Sequence, residues 1–149
     1  DMMEHPGLGG VVVATPDFLH LEPVVQAGER GLHILVEKPL TTDLAQARQI
    51  MSEVRRSPGI NMMAHIFRWS APFVQAKSAL DSGRLGAPLA MNMRIDDRIF
   101  VPTHMLGWAQ ATTPAWFLLS HAADLACWYA GSRPIKVYAI GVKKRLASM

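Results

Sequence analysis

A single cysteine, Cys127, stands in 149 residues, so the chain has no disulfide framework and no paired-cysteine zinc site. Its apolar neighbours mark it as a small core residue. No apolar run approaches a bilayer-spanning length, because charged or polar residues interrupt every stretch. No basic segment followed by an apolar core and cleavage site opens the chain. A soluble, cytoplasmic protein without a membrane partner is the expectation. Excess charge is also scarce: Lys and Arg number 15 against 12 Asp and Glu, a net +3. The bases are scattered apart from Arg55-Arg56 and Lys143-Lys144-Arg145, which argues against a nucleic-acid partner. The six histidines include no i, i+4 pair, and no carboxylates stand at metal-binding spacing, so no metal is expected. Ser120 and His121 are adjacent and point apart on a helix, so they make no nucleophile–base pair. A glycine-rich strand-to-helix turn is missing too: Gly7-Leu8-Gly9-Gly10 precedes a strand rather than following one.

Half of the residues are hydrophobic, enough for one sizeable core. Val11-Val12-Val13-Ala14 is a continuous apolar run of the kind that forms a strand buried on both faces. A helical stretch from about Leu21 follows, then a second such strand, His33 to Val36. Thr41, Thr42 and Asp43 offer caps to a helix in which Leu44, Ala47, Met51 and Val54 recur. Ile60 to Ala64 predicts a third strand, and Phe73, Ala76 and Leu80 a further helix. Strand and helix alternate, which predicts parallel pairing through right-handed crossovers. Beyond Gly83 to Pro88 the pattern changes. Leu89, Met91, Met93 and Ile95 alternate with polar or small residues, predicting a half-buried antiparallel strand. Trp116 to Trp128 predicts a helix apolar almost all round, and Ile135 to Val142 another strand. The fold class is therefore α/β: part of a doubly wound, Rossmann-type parallel sheet, then the start of an α+β domain with an open, largely antiparallel sheet. The expected division is 1–84 and 85–149. Unpaired strand edges make the chain read as incomplete.

In open α/β sheets ligands bind beyond the carboxyl ends of the strands. Two polar clusters sit there: Thr15-Pro16-Asp17-Phe18-Leu19-His20 and Glu37-Lys38-Pro39. If their strands are neighbours, both clusters face one crevice. It is on VVVATPDFLH and AGERGLHILVEKPL that the chain resembles the second part of the cofactor domain of Gfo/Idh/MocA oxidoreductases. HIFRW at His65 to Trp69, SGRLGAPL at Ser82 to Leu89 and SHAADLACWYAG at Ser120 to Gly131 extend the resemblance in the family's order.

The resemblance implies an NAD(P)-dependent oxidoreductase that moves a hydride between nicotinamide and a sugar, cyclitol or related polyol. It implies Lys38 beside the reacting carbinol, where an ammonium stabilises developing negative charge, and His121 relaying the hydroxyl proton. Thr15, Pro16, His20 and Glu37, with Lys38 and Arg68, are the implied contacts to NAD or NADP. His20 reads equally as a solvent-exposed helix-start residue. His121, Asp124 and Trp128 share one helix face, and Asp124 is a candidate substrate contact. One position departs from the family: Phe117 stands where an aspartate is usual. That departure supports one alternative, a non-catalytic dinucleotide-binding regulator on the same scaffold; an inactive truncated fragment is a separate one. With no pyrophosphate turn, the 149-residue chain alone is expected to bind dinucleotide poorly. A homo-oligomer is a further expectation.

Overall fold

The computed structural model describes residues 2–142; the basic triplet Lys143-Lys144-Arg145 lies outside them. Three short strands form one parallel sheet in the order β1 (Gly10–Val13), β2 (His33–Val36), β3 (Asn61–Met63). Val13 lies opposite Val36, and Val36 opposite Met63. α1 (Leu21–Glu29) and α2 (Leu44–Arg56) connect them, and α3 (Ala71–Asp81) follows the third. Local chemistry sets the boundaries. Gly31, at φ 69°, ends α1 in a conformation that costs other residues dearly. There the Gly31 and Leu32 N–H groups bond back to the Gly28 and Ala27 carbonyls. Asp43 caps α2, its carboxylate accepting the Gln46 N–H at 2.8 Å.

The core joins Val11 and Val13 of β1 and Ile34 and Val36 of β2 to Val24 and Ala27 of α1 and Ile50 of α2. Burial is one-sided: Val12, between two buried valines, is 69% exposed. The expectation of strands buried on both faces is thus corrected. Successive strands laid down in one direction, each through a crossover of the same hand, place both connecting helices on one face. A helix covering the other face comes from crossovers running the opposite way, and the described residues contain none.

The two strands expected after residue 88 are corrected as well. Residues 89–95 and 135–142 take part in no strand ladder among the described residues; Leu89 is 99% exposed and Ile135 fully so. Alternation tells which face a strand would bury, but the ladder itself needs a neighbour to satisfy its N–H and C=O groups. The predicted helix at Trp116 begins as a wide π turn over Ala115–Leu119 and continues as α4 (Ser120–Ala130). It is less buried than its composition suggests: only His121 and Leu125 of α4 are fully covered. Cys127 is half-buried.

Gly59, in the turn before β3, is held by a close approach. A Cβ there would stand 2.2 Å from the Leu32 carbonyl oxygen, main chain against main chain. Gly59→Ala is expected to lower unfolding free energy by about 1–3 kcal/mol, as overpacking does. Urea denaturation checks this, and an alanine variant as stable as the parent contradicts it.

Candidate active site

Because β1 and β2 are parallel neighbours, their trailing segments emerge side by side. The Glu37 N–H donates to the Val13 carbonyl at 2.9 Å, so the second loop starts where the first strand ends. His20 ties them further along. Its ring is 1% exposed; Nε2 faces the Thr15 carbonyl at 2.9 Å, and Nδ1 faces the Pro39 and Leu40 carbonyls at 3.0 and 3.2 Å. The structure thus places His20 inside the protein, with both nitrogens committed to main chain. It is not the solvent-exposed helix-start residue of the simpler sequence reading. Thr15 enters the site through its carbonyl, and Pro16 accepts the Leu19 N–H at 2.8 Å.

Lys38 follows in a cis peptide to Pro39. Glu37 folds back so that its carboxylate accepts the Lys38 N–H at 3.2 Å. The ammonium reaches a segment far along the chain: Nζ donates to the Phe117 carbonyl at 3.0 Å and lies 4.1 Å from the centre of the Phe117 ring, a cation–π distance. Burial lowers the Lys38 pKa from its ordinary 10.5, against the opposing pull of the Glu37, Asp17 and Asp97 carboxylates. Asp17 is itself buried and accepts the Thr112 hydroxyl at 2.5 Å, a second tie from the 109–119 region to the strand ends.

One turn past Phe117, α4 presents His121, 7% exposed. Its ring stacks on Phe67 at 4.5 Å between centroids, and its Nδ1 is buried without a partner. Burial lowers the His121 pKa from 6.5, and the Lys38 charge lowers it further, as His65 does when protonated. The imidazole is accordingly a neutral base beside an ammonium.

The expected face of α4 is real, but Asp124 is spoken for. Arg68 holds it through two bonds, Nε to Oδ2 at 2.8 Å and Nη2 to Oδ1 at 2.6 Å, the fork geometry of a strong pair. Arg68 also lies over the Trp128 ring at 5.5 Å. His65 completes the cluster, with Nε2 3.5 Å from Asp124 Oδ1 and Nδ1 buried without a partner. Sequence reasoning singled out Arg68 and Asp124 as separate ligand contacts and did not single out His65 at all. The rule applied to the first two strands would have found it, since His65 trails β3 as Lys38 trails β2.

The site therefore combines a hydrogen-bond donor with positive charge, a neutral imidazole base and a second imidazole, all beyond the carboxyl ends of a parallel sheet. No group of three or more His, Cys, Asp or Glu among the described residues is placed to hold a metal ion, and no helix among them is long and apolar enough to cross a membrane. This is the arrangement of a dinucleotide-type α/β domain with acid–base groups at its ligand edge. Comparison with known proteins gives the family. Residues 1–65 match the model of the oxidoreductase family with an NAD-binding Rossmann fold, and residues 73–147 match the GFO/IDH/MocA C-terminal domain. The chain belongs to the Gfo/Idh/MocA family, as its strand-end motifs led one to expect.

Among similar proteins, an inositol 2-dehydrogenase of Streptomyces avermitilis is 37% identical over 91 residues, covering 60% of this chain and 26% of that protein. The scyllo-inositol 2-dehydrogenase (NAD(+)) of Bacillus subtilis is 30% identical over 89 residues, with the same coverage. The crystal structure of myo-inositol 2-dehydrogenase from Lactobacillus plantarum superposes with a TM-score of 0.79 at 22% identity, covering 88% of this chain and 40% of that one. The matched region spans about a quarter of the length of the two curated relatives.

Proposed function

We propose that the full-length protein is an NAD(P)-dependent oxidoreductase acting on the CH–OH group of a cyclitol, sugar or related polyol. The observation that carries this reading is the meeting of Lys38, from the end of β2, with the 117–121 segment through the 3.0 Å bond to the Phe117 carbonyl. That contact sets an ammonium near an unpartnered buried imidazole at the ligand edge of the sheet. The nicotinamide cofactor would supply the acceptor or donor of a hydride. The loops tied by His20, carrying Thr15, Pro16 and Glu37, fit a dinucleotide by position, since they lie together beyond the strand ends. In oxidation, His121 would take the hydroxyl proton while the carbinol hydrogen departs with the C–H electron pair as hydride. Lys38, protonated, donates a hydrogen bond to the oxygen as it gains charge and becomes a carbonyl. Arg68 and Asp124 act as a paired unit that holds the loop after β3 against α4.

A test is to follow reduced-nicotinamide absorbance with NAD+ and NADP+ across myo-inositol, scyllo-inositol and a panel of sugars. Turnover with a polyol supports the reading, and binding of dinucleotide without turnover on any of them rejects it. The second outcome is that of a non-catalytic regulator. Phe117 favours that alternative, because its ring and carbonyl, rather than a carboxylate, meet Lys38.

The pH profile follows from the shifts. His121 must be neutral to accept a proton, and its pKa lies below 6.5, so kcat/KM for oxidation holds through neutrality and falls only on the acid side of that value. Lys38 must be charged, and its pKa lies below 10.5, so the alkaline limb begins earlier than for a free lysine. Stability shares the acid limb: a histidine whose folded pKa is depressed favours the native state above its unfolded pKa, and this is lost as pH falls through the folded value. A kcat/KM profile with its acid limb above pH 6.5 contradicts the assignment of His121.

We further divide the chain into a cofactor-domain part, 1–84, and the start of a substrate domain, 85–149. Gly83 and Gly86, both at positive φ after α3, support a break there, although the two family models meet earlier, between residues 65 and 73. A cytoplasmic, homo-oligomeric protein completes this reading.

A further inference from the structure

The proposed chemistry leaves one buried base unused. His65 turns Nε2 toward Asp124 Oδ1, 3.5 Å away, an oxygen already held by Arg68; the neighbouring carboxylate favours the ring's hydrogen on Nε2 and its lone pair on Nδ1. Burial lowers the His65 pKa from 6.5, opposed by Asp124 and aided by Arg68, which keeps that lone pair free near neutral pH. Yet Nδ1 is buried and no donor meets it. Buried polar atoms are paired in the great majority of cases, and an orphan calls for a partner. His121, whose ring packs on Phe67 two residues from His65, carries a second unpartnered Nδ1, and as the proton acceptor of the proposed reaction it takes the hydrogen of the reacting hydroxyl. One hydroxyl has one hydrogen and cannot satisfy two acceptors.

We infer that His65 is a specificity-determining residue that accepts a hydrogen bond from a second substrate hydroxyl, so that the site selects diols over simple alcohols. This rests on the dehydrogenase reading, in which His121 receives the first hydroxyl. Asp124 and Arg68 are then positioning residues: the carboxylate favours the Nε2–H tautomer of His65, and the guanidinium fixes the carboxylate.

The experiment is steady-state oxidation of myo-inositol and scyllo-inositol with NAD+ or NADP+ by the full-length protein and two variants. His65→Leu removes both hydrogen-bonding ends of the ring and is expected to lower kcat/KM for the inositol by roughly 10–100-fold, the cost of an unpaired buried polar group. His65→Gln retains a donor and an acceptor and is expected to stay within about threefold of the parent. KM for the dinucleotide should not move in either variant. An undiminished leucine variant, a glutamine variant as impaired as leucine, or an equal rise in the dinucleotide KM overturns the inference. Should either variant fold poorly, the parent's His65 Nδ1 nitrogen-15 resonance decides. It is expected to shift on saturation with the inositol that is turned over; a resonance unmoved, or one already paired with water or a protein donor, overturns the proposal. Absence of turnover by the parent on both inositols and the sugar panel strikes the dehydrogenase reading itself.

Discussion

Lys38→Ala is expected to lower kcat for polyol oxidation by roughly a hundred- to a thousandfold, the usual cost of losing one preorganised donor to a developing oxyanion. The geometry explains why so much would rest on one side chain. The ammonium is held by the Phe117 carbonyl and ring, contacts that orient it without neutralising it, while the Glu37 carboxylate is turned to the Lys38 main-chain N–H. Its charge therefore remains available to an oxygen in the site. Arginine would keep the charge but not the compact donor, so Lys38→Arg should recover little. KM for the dinucleotide should change far less than kcat, since Lys38 acts mainly in the transition state. Single-turnover measurement of hydride transfer checks both statements, and a Lys38→Ala enzyme with parental turnover removes the residue from the chemistry.

His20→Ala is the second large effect, on stability first and activity after it. Alanine would leave a cavity where a fully buried ring stood and remove the ring nitrogens that face the Thr15 carbonyl on one side and the Pro39 and Leu40 carbonyls on the other. Cavity and desolvation costs together predict a loss of about 2–4 kcal/mol. The loops after β1 and β2 lose their tie at the same time, so kcat should fall in folded protein even though the His20 ring nitrogens face only main-chain carbonyls. His20→Gln, which keeps an amide donor, should recover part of both. Equilibrium unfolding in urea with parallel kinetics tests this; an alanine variant equal to the parent in stability and kcat shows that the loops hold without it.

Much of this arrangement was legible in the residues. β-Branched runs ended by Thr15-Pro16-Asp17 and by Glu37-Lys38-Pro39 locate strands and their ligand ends together, because a parallel strand's apolar body and polar tail are contiguous in sequence. Asp43 announces its helix because a cap acts within three residues. What stayed hidden depends on partners distant along the chain. Arg68 and Asp124 each look like a free ligand contact until folding pairs them across 56 positions. His20 looks like an exposed helix start until the Pro39 and Leu40 carbonyls close on it. The alternation at 89–95 states which side chains would share a face, whereas a ladder requires a neighbouring strand that these residues do not name. Val12 makes the same point for the parallel sheet: its hydrophobicity declares a face fit for burial but says nothing of which crossover covers it.

The most direct test is isotopic. Full-length protein is given oxidised nicotinamide dinucleotide and a cyclitol deuterated at its carbinol carbons, and the reduced product is examined by mass spectrometry. The account predicts one deuterium carried directly onto the nicotinamide ring, at a rate that collapses in Lys38→Ala. Reduced dinucleotide bearing only solvent hydrogen, or none formed at all, contradicts it.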